Sequence, residues 1–426
     1  MTKFTDILGM NARDRLYTGL NSKTARSFCA SKFATKILLQ NHNIPTAEIY
    51  GILATNEDVN DFDWNKLTKN FVIKPTNGNA GKGVVAFRSQ LADGKRWQDM
   101  LGKIWSLEDL KLHCFDILEG QYSTYGSQHN VIVEERVTIH SCLQKYTYKG
   151  TPDIRVIVFN QVPVMAMLRL PTAESEGRAN VTQGAIGVGI DMASGITTHA
   201  VAHKNTLIQF LPGTKHKLNG IKIPFWSALL KTAVEAAVAA NLAFAGVDLF
   251  VHEEKGPMVV ELNANPGLSI QNANHAGLGR RLERVTDLNV RDAEHGVKIS
   301  QALFAERFAD KIKAKDGLTI VSARETIDLY GGGKTEQTTA LVNTGRFRSM
   351  IASNLANQLG LIDLDDLLWF QTEQGEGKIP VVEVKFKLKD QKVKTAMLVS
   401  KKLNSSKHKV EIGRQDLTNF LVSSSE

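Results

Sequence analysis

The sequence predicts an α/β or α+β chain rich in antiparallel strand pairing, followed by a separate β-rich unit. Three observations predict this. Two long apolar segments, "DIRVIVFNQVPVMAMLRL" and "GVDLFVHEEKGPMVVELN", each read as two strands around a polar turn. Segments with helical spacing of apolar residues lie between such strands. From residue 318 onward strand patterns take over, in "LTIVSARETIDL", "TTALVNTG", "VVEVKFKLKD", "VKTAMLV" and "HKVEIG".

The elements follow in order. Residues 23–42 carry Ala30, Phe33, Ala34, Ile37 and Leu38 at helical spacing and stop at "NHNIP". "EIYGIL" is a short strand. "FVIKP" is a stronger one and leads into the glycine-rich "TNGNAGKGVVAF". A helical region holding Trp97, Met100, Leu101 and Trp105 is expected next, then a buried strand in "NVIVEERV". The first long hairpin should turn near Asn160–Pro163. "EGRANVTQGAIGVGI" reads as a polar loop entering a strand. Residues 226–243 read as a closely packed helix, and the second hairpin should turn at "HEEKG". "LNVRDAEHGVKISQALFAERFADKIKAKDG" reads as an amphipathic helix with a Gly-terminated stop. These features place a boundary near residue 315 and divide the chain into 1–285, a helical linker 286–317, and 318–426. No internal repeat is evident.

Bulk properties narrow the function classes. A chain of 426 residues can hold two or three domains with real cores. Its 42% hydrophobic and 23% charged content describes a soluble globular protein. No apolar run reaches the roughly 18 residues of a membrane-spanning helix. Asp6, Asn11, Arg13 and Asp14 interrupt the N-terminal stretch, so it does not read as a signal peptide. Cys29, Cys114 and Cys142 show no metal-ligand spacing and suit a reducing cytoplasm. The net charge of +8 suits anionic substrates such as nucleotides. No nucleic-acid-binding motif accompanies it, so neither nucleic acid nor a membrane is expected as a partner.

Three groups of residues carry chemistry. Lys74 ends an apolar strand beside Gly78, Gly81 and Gly83. An ammonium next to a pliable glycine loop can hold a polyphosphate, although a glycine hairpin with a surface lysine gives the same pattern. Glu261 and Asn263 are two apart, so on a strand both point to one face. Asp248 lies on the preceding strand, across a five-residue turn, and pairing places it opposite Glu261. Two carboxylates and an amide oxygen on one sheet face are hard ligands suited to Mg²⁺. Arg155, Arg169 and Arg178, with Asn180 and Gln183 in the loop, supply forks for phosphate or carboxylate.

The motifs "SKFATKILLQNHNIPTAEIYG", "FVIKPTNGNAGKG", "VIVEERV", "PDIRVIVFNQVPVMAMLRLP", "GRANVTQGAIGVGI" and "GVDLFVHEEKGPMVVELNANPGLSIQNAN" stand in this order. Together they resemble the ATP-grasp carboxylate–amine ligases. The likeness is strongest to the alpha-L-glutamate ligase-like branch, relatives of the enzyme that adds glutamates to a ribosomal protein. It covers roughly residues 10–285.

The resemblance implies an α+β ATP-grasp fold without the N-terminal extra domain common in such enzymes, because only about 20 residues precede the first helix. It implies ATP and Mg as cofactors. It places Lys74 on the phosphates, with Lys36 or Lys32 at the cleft entrance, and closes the Gly78–Gly83 loop over them. Glu134, Glu135 and Val137 would form a main-chain hinge against adenine. Asp248, Glu261 and Asn263 would hold Mg²⁺. Arg155 and Arg169, with Asn180 near them, would steady the transferred phosphoryl group. The implied reaction makes an acyl phosphate, which an amine then attacks to leave an amide. The implied partners are an amino acid or peptide carrying a free carboxylate, and an amine acceptor.

Residues 318–426 resemble one half of an all-β retropepsin-like fold and are similar to ATP-dependent zinc protease-like proteins. "ALVNTG" stands where such a loop carries its aspartate. Asn343 cannot act as a general base, so a symmetric pair of chains would have no catalytic dyad. This unit is expected to homodimerise or to present a peptide rather than to cleave one. "LIDLDDLLWF" reads as a helix, with Asp363, Asp365 and Asp366 as cap and solvated face. The run Lys385, Lys387, Lys389, Lys392, Lys394, Lys401 and Lys402 reads as a solvated or edge-protecting face. The chain therefore reads as an ATP- and Mg-dependent ligase with a non-proteolytic C-terminal module. The alternatives are a peptide hydrolase regulated by ATP and a non-catalytic ATP-binding scaffold.

Overall fold

A computed structural model describes residues 6–67, 70–76, 82–122, 130–305, 319–362, 367–373, 377–418 and 420–423. Gly78, Gly81, Asp363, Asp365 and Asp366 lie outside the described residues, as does the end of the linker helix. The chain forms two compact units, Met1–Val297 and Lys298–Glu426. Among the described residues no helix is long and apolar enough to cross a membrane.

The first unit contains two sheets. Strands β1 (Ile49–Leu53), β2 (Phe71–Pro75), β3 (Val85–Gln90), β4 (Arg96–Asp99), β5 (Ile104–Ser106) and β6 (Val131–Glu135) form one, in the order β1-β6-β2-β3-β4-β5. The strand period of two divides its faces. Phe71, Ile73, Val131 and Val133 enter a core with Leu110, Cys114 and Ile117 of the helix Leu107–Leu118. That helix begins at a reciprocal cap, in which the Ser106 hydroxyl accepts from Asp109 N and the Asp109 carboxylate accepts from Ser106 N. Lys74 and Glu134 fall on the other face, because Val72 pairs with Glu134 and Lys74 with Ile132.

Two local expectations are corrected. Residues around Trp97 form a hairpin rather than a helix, and Trp97 pairs with Trp105 across β4 and β5. The Asp99 carboxylate builds that turn by accepting from Leu101 N and Lys103 N at 2.9 Å and from Trp105 Nε1 at 3.0 Å. The helix over 23–42 is two helices, Lys23–Ala30 and Lys32–Asn41. Ser31 leaves the helical conformation between them, and its hydroxyl accepts from Ala34 N to cap the second.

The second sheet positions the site. It comprises β7 (Asp153–Phe159), β8 (Val162–Leu170), β9 (Ile186–Ile190), β10 (Thr197–Ala202), β11 (Thr206–Ile208), β12 (Phe244–His252) and β13 (Gly256–Asn263), in the order β11-β10-β9-β8-β7-β12-β13. Both long hairpins turn where expected. Asn160 and Gln161 sit at positive φ (48° and 59°), as the tight turn between β7 and β8 requires. Asp248 pairs with Glu261 and with Arg155, and Asp153 pairs with Arg169. One extra residue, Val260, bulges the β12–β13 ladder beside Glu261. The alternating apolar residues Ile154, Val156, Val247 and Leu249 are fully buried. The helix Trp226–Ala239 packs on strands of this sheet.

A short helix, Ile270–Asn274, lies close against β9 because Gly187 and Gly189 have no side chains. A Cβ at Gly189 would stand 2.6 Å from Ala273 O and 2.8 Å from Asn274 Cα. Asn274 anchors the contact by donating to Ala166 O and Ile270 O at 2.9 Å each.

In the second unit, β14 (Thr319–Val321) pairs in parallel with β22 (Phe420–Val422). The remaining strands are β15 (Arg324–Gly331), β16 (Lys334–Asn343), β17 (Met350–Ala352), β18 (Trp369–Glu373), β19 (Gly377–Leu388), β20 (Gln391–Ser400) and β21 (Val410–Gly413). Their order is β15-β16-β21-β17-β20-β19-β18, and β15 also pairs with β19, which closes a barrel. Leu329, Phe386, Met397, Val410 and Ile412 fill its core. Trp369 and Phe370 lie on a strand rather than on the expected helix. The lysines do not protect an edge. Lys385 and Lys387 on β19 are paired to β20 on one flank and β15 on the other. They form a solvated face, part-neutralised by Lys394–Glu383 at 2.9 Å.

The close approach at Gly189 yields a stability prediction. Gly189→Val should destabilise the first unit by about 1–3 kcal/mol through overpacking against backbone. Calorimetry should show its transition at lower temperature, and an unchanged transition would contradict the contact.

Candidate functional site

A cleft of about 1080 Å³ in the first unit is lined from both sheets. It gathers Lys36, Lys74, Glu134, Glu135, Val137, Arg155, Arg169, Asn180, Asp248, Glu261 and Asn263, together with Lys32 and Arg178. Gly83 is not among the lining residues. Its positive φ of 72° and the Tyr122 ring, 2.8 Å from where a Cβ would be, account for the glycine there. Its carbonyl lies 3.1 Å from His113 Nε2.

One wall holds a lysine–glutamate–lysine triad. Lys74 Nζ donates to Glu134 Oε1 at 2.6 Å, and Lys36 Nζ donates to Glu134 Oε2. Strand register explains the first contact, since Lys74 and Glu134 are diagonal neighbours on one face. The second comes from the helix Lys32–Asn41, 98 residues away in sequence. Burial, with Lys74 beside it, pushes the Lys36 ammonium down to about 8, and Glu134 opposes this. Burial alone would raise the Glu134 carboxyl, but Lys74 and Lys36 outweigh it and hold the group below its usual range.

The segment expected as a main-chain hinge makes the following contacts. Glu134 presents its carboxylate to the lysines. Glu135 N donates to Glu48 O at 2.8 Å and Arg136 N to Asn70 O at 2.7 Å, so these amides already have partners. Val137 is buried with Ala47 and Met258.

The other wall is a chain of alternating charges on the β8-β7-β12-β13 face. Arg155 grips Asp248 with both prongs of its fork, Nε to Oδ1 and Nη2 to Oδ2, at 2.6 Å each. Arg169 Nη2 reaches the same Oδ2 at 2.8 Å, and Asn263 Nδ2 reaches it at 3.3 Å. Arg169 is also held by Asp153, which lines the same cleft, with two bonds of 2.5 Å. Burial alone would raise Asp248, but the two guanidiniums outweigh it and hold the carboxyl below the usual range. Burial, aided by the nearby Asp248 charge, holds Asp153 up to about 6 against the pull of Arg169.

Sequence reasoning missed Asp153. Its signal was present, since Asp153 and Arg155 stand two apart on a strand and share a face. Asn180 lines the cleft, but its Oδ1 also caps the turn Val181–Gln183 by accepting from Thr182 N and Oγ1.

The donor set fits a magnesium ion. Asp248, Glu261 and Asn263 offer hard oxygens from adjacent strands on one face, and the lysines of the facing wall suit phosphate.

The loop of the second unit is also ordered by side chains. Asn343 Oδ1 accepts from Gly345 N at 3.1 Å, and its Nδ2 donates to Glu411 Oε2 at 3.1 Å. Arg346 Nε donates to the same oxygen at 3.2 Å.

No curated protein matches this chain. Among solved structures, it is similar to the ATP-grasp ligase PsnB complexed with minimal precursor, at 16% identity and TM-score 0.34 over 63% of each chain. It is similar to D-alanine–D-alanine ligase from Bacillus anthracis at 15% identity and TM-score 0.34, over 70% of this chain and 72% of that one. D-cycloserine synthetase DcsG matches at 16% identity and TM-score 0.34, over 62% of this chain and 73% of its own. The chain spans less than two thirds of the length of PsnB, and no argument about activity follows from these likenesses. A family model described as sugar-transfer associated ATP-grasp matches residues 11–287, which contain the whole cleft. This description differs from the glutamate-ligase branch that the motifs resemble. ATP-grasp proteins use ATP and Mg²⁺ as cofactors. The chain belongs to the sugar-transfer associated ATP-grasp family.

Proposed function

We propose that the protein is an ATP-dependent ligase that joins a carboxylate to an amine through an acyl phosphate. The observation that carries this reading is the cleft itself. One wall offers lysine ammoniums, and the facing wall offers two carboxylates, an amide and two arginines. That set matches a phosphoryl transfer from nucleotide to carboxylate, which needs charge neutralisation and positioning rather than a protein nucleophile.

The proposed roles follow from position. Lys74 and Lys36 take the nucleotide phosphates, and Glu134 between them fixes both ammoniums. Asp248, Glu261 and Asn263 hold Mg²⁺, which when bound neutralises phosphate charge and orients the transferred group. Arg155 and Arg169 face the phosphoryl group as it passes to the substrate carboxylate. Asn180, at the edge of the cleft, offers its amide N–H to the acyl group. The amine then attacks the carbonyl carbon of the acyl phosphate. An amide forms, and the products are ADP and phosphate.

The substrate is an amino acid or peptide carboxylate, as the glutamate-ligase likeness suggests. The family description justifies including amino sugars and sugar acids among trial substrates. The second unit is proposed as a retropepsin-like module that binds peptide or dimerises without cleaving. The Asn343–Glu411 contact supports that reading, because an amide fits beside Glu411 where a second carboxylate would meet its charge.

Three outcomes test these proposals. Asp248→Asn and Glu261→Gln should each lower substrate-dependent ADP release at least about 100-fold, with the fold retained by circular dichroism. Turnover that survives both changes would remove the assigned metal site.

Lys36 is protonated below a value of about 8 and neutral above it. Nucleotide affinity should therefore fall by about fivefold to tenfold as pH rises through that region. Titration calorimetry with ADP at several pH values measures it. Lys36→Met should bind more weakly and lose this slope.

Asn343→Asp should produce no peptide cleavage and should cost about 1–2 kcal/mol at neutral pH, from a lost hydrogen bond and an added like charge. Cleavage of a peptide library by this variant would restore the protease reading.

A further inference from the structure

We propose that Arg155 is an internal stand-in for the metal, seated on Asp248 until a divalent cation displaces it, whereas Arg169 stays fixed. This inference rests on the metal site assigned above.

Asp248 is 2% exposed, and the two arginines beside it hold its carboxyl below the usual range. A lone buried carboxylate is costly, so the fold must supply compensating donors whenever the cation is away. It does so with two guanidiniums, but their anchoring differs. Among the described residues, the ion pair of Arg155 is with Asp248, through both carboxylate oxygens. Arg169 has a second tether, the two 2.5 Å bonds from its Nε and Nη2 to Asp153, besides the one contact of its Nη2 with Asp248. Asn263 shows the same resting state. It directs its amide N–H at Asp248, whereas a metal needs its amide oxygen.

A cation that takes an Asp248 oxygen must therefore break the fork of Arg155. Arg169 can yield its single contact and keep its place on Asp153. The exchange leaves the local charge compensated at each stage. Metal arrival would release one arginine into the cleft, where an anionic group can meet it, and leave the other as a fixed wall. Asp153 is then a positioning residue acting through Arg169.

The test reads metal binding without turnover. Mn²⁺ is titrated into the nucleotide-free full-length protein, and free Mn²⁺ is followed by electron paramagnetic resonance. Arg155→Gln removes the competing fork and should tighten Mn²⁺ binding about fivefold to tenfold. Arg169→Gln should tighten it less than about threefold. Arg155→Lys keeps the charge without the fork and should fall between wild type and Arg155→Gln.

Asp153→Asn should unlatch Arg169 to compete more freely at Asp248, weakening Mn²⁺ binding. The double variant with Arg169→Gln should recover that loss. Unchanged or weaker binding in Arg155→Gln would overturn the proposal, as would equal effects at the two arginines. Asp248→Asn separates the two ideas. If it leaves Mn²⁺ binding intact, the metal site itself is misassigned. If it abolishes binding while Arg155→Gln changes nothing, the site stands and the stand-in does not.

Discussion

The Asp248 carboxylate is the charge around which the first unit is arranged. It lies on the second strand from the edge of a seven-stranded sheet, buried on the face that lines the cleft. Such a charge is tolerated only with donors of matched geometry. Arg155 meets it by direct cross-strand register, and Arg169 reaches it from one strand further along. Asp153 then balances the second arginine. Each member is placed by a neighbour in the ladder, so the polar chain is only as ordered as the strand pairing beneath it.

That dependence explains where the sheet spends its irregularities. The bulge at Val260 falls beside Glu261, at the one rung that carries carboxylates on both strands. A bulge re-aims side chains without ending the pairing. The glycines of β9 serve the opposite need. They let the helix Ile270–Asn274 close one part of the same sheet. The facing wall uses a related economy, in which the single carboxylate of Glu134 fixes two lysines and keeps both ammoniums directed to one place.

The second unit shows the same physics without the charge cluster. Its barrel closes through the β15–β19 pairing, which removes the edges that a lysine-rich strand would otherwise protect. The loop at Asn343 is held by a side-chain amide that both donates and accepts. An aspartate could accept from Gly345 but could not donate to Glu411. The amide at position 343 is therefore one that the local geometry uses.

Local pairing was legible because it is local. Both long hairpins, their turns and the Asp248–Glu261 register follow from period-two alternation and turn residues. The placement of Asp248, Glu261 and Asn263 on one face was readable for the same reason, as they stand two apart on one strand or across one short turn. The sequence by itself determined these strands, the arginines on them and the un-ionisable amide at position 343.

Tertiary structure decided what each charge is paired with. Lys36 meets Glu134 across 98 positions, and nothing in either segment encodes that contact. Trp97 and Trp105 looked helical by spacing, but the Asp99 carboxylate accepting from three donors makes their turn. Asp153 was visible as a residue and invisible as a partner, because its role depends on how far Arg169 extends from the adjacent strand. Side-chain period can be read from a chain, but a buried charge finds its counter-ion only once the sheet has formed.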